Sequence, residues 1–106
     1  MKTISNYLPI QSSTNFEKSV LKFFPANSEV FLDQIEMYTF AGYGQYKNYL
    51  HLTVNGEDLK LSLYHTNSMA KDYFCSDAFD NLSRRSQDNY IKSNVLAILE
   101  ANANNL

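Results

Sequence analysis

Ser68 and Lys71 form the first pair of side chains whose types and spacing could do covalent chemistry. The pair matches the Ser-x-x-Lys pattern of some acyl-enzyme hydrolases, in which a lysine on the same helical face accepts the serine proton. The companion Ser-Asp-Asn and Lys-Thr-Gly motifs are absent from this sequence. Ser68 is also well placed as a helix cap, and the pattern favours that structural role over acyl transfer.

Cys75 is the second candidate nucleophile, with His51 or His65 as the imidazole that would activate it. A reactive thiolate needs a neighbouring cation or a helix N-terminus, whereas Asp77, close by in the sequence, would oppose it. The phenylalanines on both sides favour instead a small apolar cysteine packed in the core. As the only cysteine, it excludes an internal disulfide and is typical of a reducing compartment.

Metal and phosphate sites are disfavoured by the spacing of their ligands. The two histidines, Asp72, Cys75 and Asp77 contain neither a Cys-x-x-Cys nor a His-x-x-x-His pair. The segment 72–80 lacks the alternating oxygen ligands and closing glutamate of a calcium loop. Gly42-Tyr43-Gly44 lacks the third glycine and the following helix of a dinucleotide fingerprint. The sequence therefore predicts no metal and no cofactor.

Asn55 and Gly56 lie between two segments of alternating apolar and polar residues and predict a β-hairpin. Both residues tolerate the positive φ that a two-residue type I′ turn requires. With these two residues as the loop, Val54 faces Glu57 and the leucines of both strands share one face. A one-residue slip would put the leucines of the two strands on opposite faces, so burial and turn chemistry agree on one register.

The opposite face of this hairpin is the strongest candidate for a binding surface. The register pairs Thr53 with Asp58, His51 with Lys60, Tyr49 with Ser62, and Lys47 with Tyr64. Exposed tyrosine is typical of an interface, because its ring offers a large contact area with a polar tip. The predicted partner-binding residues are Tyr43, Tyr49, His51, Lys60 and Tyr64.

Three uses of this face stay open at the level of the sequence. The face is a solvated or helix-covered surface, a protein interface that includes a homodimer, or a single-stranded nucleic-acid platform. In the last case tyrosines would stack on bases and lysines would contact phosphates. The consensus of RNA-binding sheets is missing and Asp58 shares the face. The solvated or covered face therefore ranks first and the nucleic acid last.

The residues before the hairpin predict a lead-in followed by a helix. Residues 1–11 are interpreted as an extended segment that packs loosely on the domain. Thr14 and Glu17 match a capping box, in which each side chain satisfies a backbone donor at the helix start. An apolar stripe over residues 16–24 predicts the first helix, and Pro25 stops it.

The first strand is predicted from about Ile35 to Phe40. Its alternation sends Glu36 and Tyr38 to the side opposite Ile35. Residues 29–33 before it are compatible with a helical turn.

Beyond the hairpin the sequence predicts a short helix, a loop and a long helix. Thr66-Asn67-Ser68 offers a cap for a short helix through about Phe74, and residues 75–77 follow as a loop. The last helix begins at Asp80 or Ser83. Its apolar stripe consists of Ile91, Val95, Ile98 and Leu99.

These elements predict a single α+β domain over residues 1–106. A three-stranded antiparallel meander, ending in the Asn55-Gly56 hairpin, has one face covered by helices in a two-layer sandwich. The formal net charge of -2 excludes a polybasic nucleic-acid binder and a strongly acidic mimic. The first residues lack the apolar core of a signal peptide and no run is long enough to cross a bilayer, so we expect a cytoplasmic protein without a membrane partner.

Three short motifs resemble patterns in small accessory proteins of phages and plasmids. They are the run Gly42-Tyr43-Gly44-Gln45-Tyr46-Lys47, the turn Asn55-Gly56-Glu57, and Thr66-Asn67-Ser68. Such proteins often inhibit bacterial defence systems, as anti-CRISPR proteins do. The resemblance implies a mobile-element protein that works by binding another protein, and it assigns no functional residue.

The first functional hypothesis is therefore a non-enzymatic binding protein, an inhibitor that occludes a site on a larger host complex. Its motivation is a compact chain with eight tyrosines and no complete catalytic constellation. The alternative is a small module that binds single-stranded nucleic acid through the same face. An uncharacterised small enzyme is the third hypothesis.

Overall fold

The computed structural model describes residues 2–65 and 76–106 of the chain. The strands are β1 (Lys2–Pro9), β2 (Val30–Gly42), β3 (Gln45–Val54) and β4 (Glu57–His65). The helices are α1 (Asn15–Leu21), α2 (Asp77–Asp80) and α3 (Arg84–Ala101), followed by a 3-10 turn at Ala103–Asn105. The short helix predicted at 66–74, the Ser68–Lys71 pair and Cys75 lie outside the described residues.

The sheet is antiparallel and has the strand order β1-β2-β3-β4. The prediction of an α+β fold with an antiparallel sheet is confirmed, but the prediction of three strands is wrong. The additional strand is β1, which lies within the segment 1–11 that was predicted as a loosely packed lead-in. Ile4 pairs with Ile35 and Leu8 pairs with Leu32, so β1 extends the apolar face of β2. A register shift between Ser5 and Leu8 breaks its alternation, which hides the strand in the sequence.

Strand β2 begins at Val30 rather than near Ile35, and the helical turn predicted at 29–33 is wrong. Val30 and Leu32 are almost completely buried and pair with Val54 and Leu52 of β3. The rows of Val54 and Leu52 on the apolar face of the hairpin therefore continue onto β2. The burial available in the sheet therefore decides the conformation of the segment.

The predicted orientation of Tyr38 is also wrong. A register shift between Glu36 and Thr39 gives Tyr38 a φ of 65°, and its side chain is 2 % exposed instead of pointing outward. Its backbone N–H donates to Oδ1 of buried Asn48 at 2.8 Å, and its hydroxyl lies 2.9 Å from that of Tyr90. The side chain of Asn48 thus replaces a ladder hydrogen bond at the bulge.

The hairpin of β3 and β4 has the predicted register at every pair from Val54–Glu57 to Lys47–Tyr64. Asn55 and Gly56 have φ values of 51° and 83°, as a type I′ turn requires. Leu50, Leu52 and Leu61 are buried on the face that the helices cover. The turn and the leucine pattern therefore fix this part of the sheet.

Helix α1 begins as predicted but ends earlier. Oγ1 of Thr14 accepts the N–H of Glu17 at 3.1 Å, which confirms the helix cap. The Glu17 carboxylate does not make the predicted reciprocal bond to the backbone N–H of the cap residue. It accepts instead the N–H of Gln11 at 2.6 Å and the hydroxyl of Ser13 at 2.7 Å. The helix stops at Leu21, since residues 23 and 24 form tighter bonds to carbonyls three residues back.

Helix α3 is capped by Ser83, one of the two predicted starts, whose Oγ accepts the N–H of Ser86 at 3.1 Å. The short helix α2 precedes it and anchors the chain through Phe79, which is 1 % exposed. The buried residues of α3 are Val95, Ile98 and Leu99, as the apolar stripe predicts. None of the helices among the described residues combines the length and the apolarity that a bilayer crossing requires.

One core lies between the helices and a single face of the sheet. Its buried members from the helices are Val20, Phe79, Val95, Ile98 and Leu99. Its buried members from the sheet are Val30, Leu32, Ile35, Met37, Tyr38, Leu50, Leu52 and Leu61. The described helices thus bury their apolar side chains on one side of the sheet, and this side is called the inner face.

Candidate functional site

The candidate site is the other side of the sheet, called here the outer face. Its members alternate with the buried residues along the strands, as the pairing of the four strands shows. They are Thr3 and Ser5 of β1, Phe31, Asp33, Gln34, Glu36 and Thr39 of β2, Lys47, Tyr49, His51 and Thr53 of β3, and Asp58, Lys60, Ser62 and Tyr64 of β4. The core residues of the described helices all lie on the inner side, so this face is free of their packing.

The turn chemistry brings the side chains of this face close together. A two-residue hairpin loop makes Val54–Glu57 a hydrogen-bonded pair, so the pairs of the outer face alternate with it and are not hydrogen-bonded. Such pairs have the shorter Cα separation, about 4.5 Å. Side chains from β3 and β4 therefore meet across this face.

Two lysines and two tyrosines form an interleaved row that we call the Lys–Tyr ladder: Lys60, Tyr49, Lys47 and Tyr64. The ammonium of Lys60 lies 4.3 Å from the ring centroid of Tyr49. The ammonium of Lys47 lies 5.7 Å from the Tyr49 centroid and 4.3 Å from that of Tyr64. The ladder holds four long side chains in a defined arrangement.

The charge of Lys47 is reinforced by its neighbours. A hydrogen bond with Tyr64, together with the nearby Tyr49, raises the pKa of Lys47 above its ordinary value of 10.5. Tyr64 is 55 % exposed, so the end of the ladder is open to a partner. The ladder therefore presents an ammonium group beside an accessible aromatic ring.

Two further contacts tie β2 to β3 on this face. Nε2 of His51 lies 2.6 Å from Oε1 of Glu36, and the hydroxyl of Thr53 donates to Oδ2 of Asp33 at 2.6 Å. The register shift between Leu32 and Gln34 is what places Asp33 beside Thr53. The imidazole of His51 is thus held by a carboxylate within the sheet.

The charges of the outer face follow the rows of paired residues along the strands. Asp33 and Asp58 lie toward the Asn55-Gly56 turn, and we call this the acidic end. Lys60 and Glu36 lie in the two middle rows, paired with His51 and Tyr49, and the Lys60 ammonium is 4.3 Å from the Tyr49 centroid. Lys47 lies at the opposite end, which we call the basic end. Within residues 2–65 and 76–106 neither lysine forms a salt bridge. Both ends therefore keep charge for an external partner.

Four of the five residues predicted for partner binding lie together on the outer face: Tyr49, His51, Lys60 and Tyr64. Tyr43 lies apart from them in the turn between β2 and β3, with a φ of 48° and full exposure. The alternation of the sequence places Glu36 correctly on the outer side, but it gives no sign of the bond from Glu36 to His51 or of the position of Asp33. Both depend on the register of β2 with β3, which shifts three times and leaves no pattern in the sequence.

The described residues offer little to a metal ion. No group of three histidine, cysteine, aspartate or glutamate side chains in the described ranges could hold one. A shallow depression of about 310 Å³ at the acidic end is lined by side chains of Asp33, His51, Asp58 and Lys60, among others. This geometry fits a side chain of a protein partner better than an enclosed substrate.

Comparison with protein-family models, with curated proteins and with solved structures finds no match to this chain.

Proposed function

We propose that this chain is a non-enzymatic protein that acts by binding another protein through the outer face. The observation that carries the proposal is the Lys–Tyr ladder on a sheet face that the described helices leave uncovered. Tyrosine rings with fixed positions supply contact area at a small cost in conformational entropy, which is why tyrosine recurs among the residues that dominate binding energy. The acidic and basic ends of the face would set the orientation of the partner.

The form of this function that we propose is inhibition by occlusion of a site on a larger bacterial complex. The resemblance to phage and plasmid accessory proteins supports this class. A sheet face with ordered side chains suits occlusion, because it covers a surface without entering a pocket. Tyr49 and Tyr64 would be the anchors, with His51 and Lys60 beside them.

Single-stranded nucleic acid is the alternative partner, and the lysine–tyrosine alternation is the observation that favours it. Three carboxylates, those of Asp33, Glu36 and Asp58, lie on the same face and would repel phosphates. A nucleic-acid complex would weaken steeply with added salt. Titration of a fluorescent single-stranded oligonucleotide at two salt concentrations tests it, and salt-sensitive binding that requires Lys47 and Lys60 would favour this alternative over ours.

A small enzyme is the third candidate. It would need a deep pocket that converges on His65, Cys75 or Asp72, and Asp72 and Cys75 lie outside the described residues.

Affinity capture from a bacterial lysate tests the proposal, with three immobilised forms of the chain compared by mass spectrometry. The wild type and Tyr43→Ala should capture the same protein, because Tyr43 lies in the turn outside the face. The double variant Tyr49→Ala/Tyr64→Ala should capture little of this protein, and its thermal unfolding temperature should be nearly unchanged. Equal capture by a folded double variant would refute the assignment of the face.

A further inference from the structure

We propose that the outer face also binds a second copy of this chain, in a two-fold symmetric, face-to-face dimer. The inference rests on the proposed function, since it names a protein that the same face binds. It starts from the order of charge along the strands, with Asp33 and Asp58 at one end, Lys60 and Glu36 in the two middle rows, and Lys47 at the other end.

A two-fold axis can match these two ends to each other. When it lies between the two sheets and perpendicular to the strands, each strand of one copy runs antiparallel over the same strand of the other. The acidic end of each copy then faces the basic end of its mate. The match occurs twice, because a two-fold interface uses the same patch on both subunits. The rows of Tyr49 and His51 lie next to the axis, so the aromatic centre of the face is buried in the middle.

The size of the face is sufficient for such a dimer. The chain measures 39 × 32 × 19 Å along its principal axes, and the two stacked layers account for the short one. An ellipse with the two long axes covers about 1,000 Å², whereas a standard interface buries about 800 Å² on each partner. Tyrosine, histidine and lysine stems on the face provide the apolar part of that area.

The two sheet edges are less suited to self-association than the face. Strand β1 has a register shift between Ser5 and Leu8 and ends at Pro9, which has no N–H to donate to an added strand. At the β4 edge, Nδ2 of Asn102 donates to the carbonyl of Ser62 at 2.9 Å. That bond occupies an outward-facing carbonyl in the middle of the strand. These features disfavour the addition of a strand at either edge, and we therefore assign the second copy to the outer face.

Dimerisation and binding of another protein would use the same residues and would compete. The dimer would keep the tyrosines covered until a partner with a better match displaces the second copy. A partner that binds the outer face tightly should therefore form a complex that contains one copy of the chain.

Sedimentation velocity of the full chain tests the dimer, from micromolar to millimolar concentration. The wild type should shift from monomer to dimer, and added salt should weaken the association because it screens the charged ends. Lys47→Glu and Asp58→Lys should each weaken association about tenfold or more, because each turns attraction into repulsion at both ends of the interface. Lys18→Glu makes the same charge change on exposed α1 and should leave association as in the wild type.

The decisive sample is an equal mixture of Lys47→Glu and Asp58→Lys. In the mixed dimer, positions 47 and 58 again carry opposite charges at both junctions, while Asp33 still opposes the Lys47→Glu side chain at one of them. The mixture should therefore associate much more strongly than either variant alone. A monomeric wild type at all concentrations, or a mixture that stays monomeric, would overturn the dimer. If that happens while Tyr49→Ala/Tyr64→Ala still loses the captured protein, the proposed function stands and only self-association is wrong. If the double variant loses nothing, both fail.

Discussion

The two faces of the sheet differ in how their side chains are packed. On the inner face, side chains from β2, β3 and β4 pack with the helices until residues such as Ile35 and Leu50 have no exposed surface. On the outer face, the alternate residues of the same strands contact each other and leave rings such as that of Tyr64 half exposed. The inner face forms the core with the helices, whereas the outer face is left uncovered by the described helices and is ordered by contacts such as His51–Glu36 and Thr53–Asp33.

This difference has a measurable consequence. Changes on the inner face should lower the free energy of unfolding, and they should affect binding only through loss of the fold. Changes on the outer face should alter binding and leave the free energy of unfolding nearly constant. Variants on the two faces test this difference.

Leu50→Ala should have the largest effect on stability. Leu50 is fully buried opposite Leu61 in the centre of the inner face, so truncation leaves a cavity between sheet and helix. We expect a loss of about 3 kcal/mol in the free energy of unfolding. Chemical denaturation of the two proteins measures it. A loss no greater than that of the outer-face variant Tyr49→Ala would remove the contrast.

Asn48→Leu should cost about 2 kcal/mol, because it removes the acceptor of a buried N–H. Asn48 has no exposed surface, accepts from the backbone of Tyr38 at 2.8 Å, and donates to Oδ1 of Asn94 at 3.2 Å. Although leucine is apolar and of similar size, it cannot replace these bonds. Asn94→Ala serves as the control that keeps the acceptor for Tyr38 while it removes the Asn48–Asn94 bond and the bond from Asn94 Nδ2 to the Tyr90 carbonyl. Denaturation curves of equal midpoint for Asn48→Leu and wild type would show that the bulge at Tyr38 does not need this amide.

Glu17→Gln should produce a smaller loss that depends on pH. The N–H of Gln11 and the hydroxyl of Ser13 donate to the Glu17 carboxylate and lower its pKa from 4.5 to about 2. A lowered pKa stabilises the folded state above pH 4.5, and this contribution is lost as the pH falls toward 2. The variant should therefore unfold several degrees below the wild type at neutral pH, and the two should converge in acid. Thermal melts from neutral to acidic pH test this, and a gap that stays constant with pH would contradict it.

Tyr49→Ala should have the smallest effect on stability, well under about 1 kcal/mol. Its ring contacts the two lysines on the outer face and contributes nothing to the buried core. Binding should nevertheless fall strongly in the same variant. Thermal unfolding and affinity capture on one protein sample measure both. A variant that is markedly unstable would show that the outer face supports the fold after all.

The parts that the sequence could predict are those determined by local chemistry. Asn55 and Gly56 dictate a turn, the leucines dictate a face, and together they give the β3–β4 register at every pair. The caps at Thr14 and Ser83 follow from the same kind of local bond. The outer-face positions of Tyr49, His51, Lys60 and Tyr64 could be predicted because they depend on that register alone.

The parts that could not be predicted depend on contacts between distant residues. Tyr38 turns inward because the side chain of Asn48, ten positions later, bonds its N–H across the sheet. Residues 2–9 become a strand because β2 offers a free edge and an apolar face, although Asn6 and Pro9 are poor strand formers. Asp33 reaches Thr53 only through a bulge. In each case one strand is shaped by its neighbour, and neither segment carries the signal by itself.

Hydroxyl-radical footprinting tests the outer face most directly, with oxidation of individual tyrosines compared between the chain at a concentration where it is monomeric and its complex with the captured protein. Binding should slow the oxidation of Tyr49 and Tyr64 several-fold. Tyr43, fully exposed in the turn between β2 and β3, should oxidise at the same rate in both states. Protection of Tyr43 with unchanged oxidation of Tyr49 and Tyr64 would show that the chain binds through its turn, and it would contradict the assignment of the outer face.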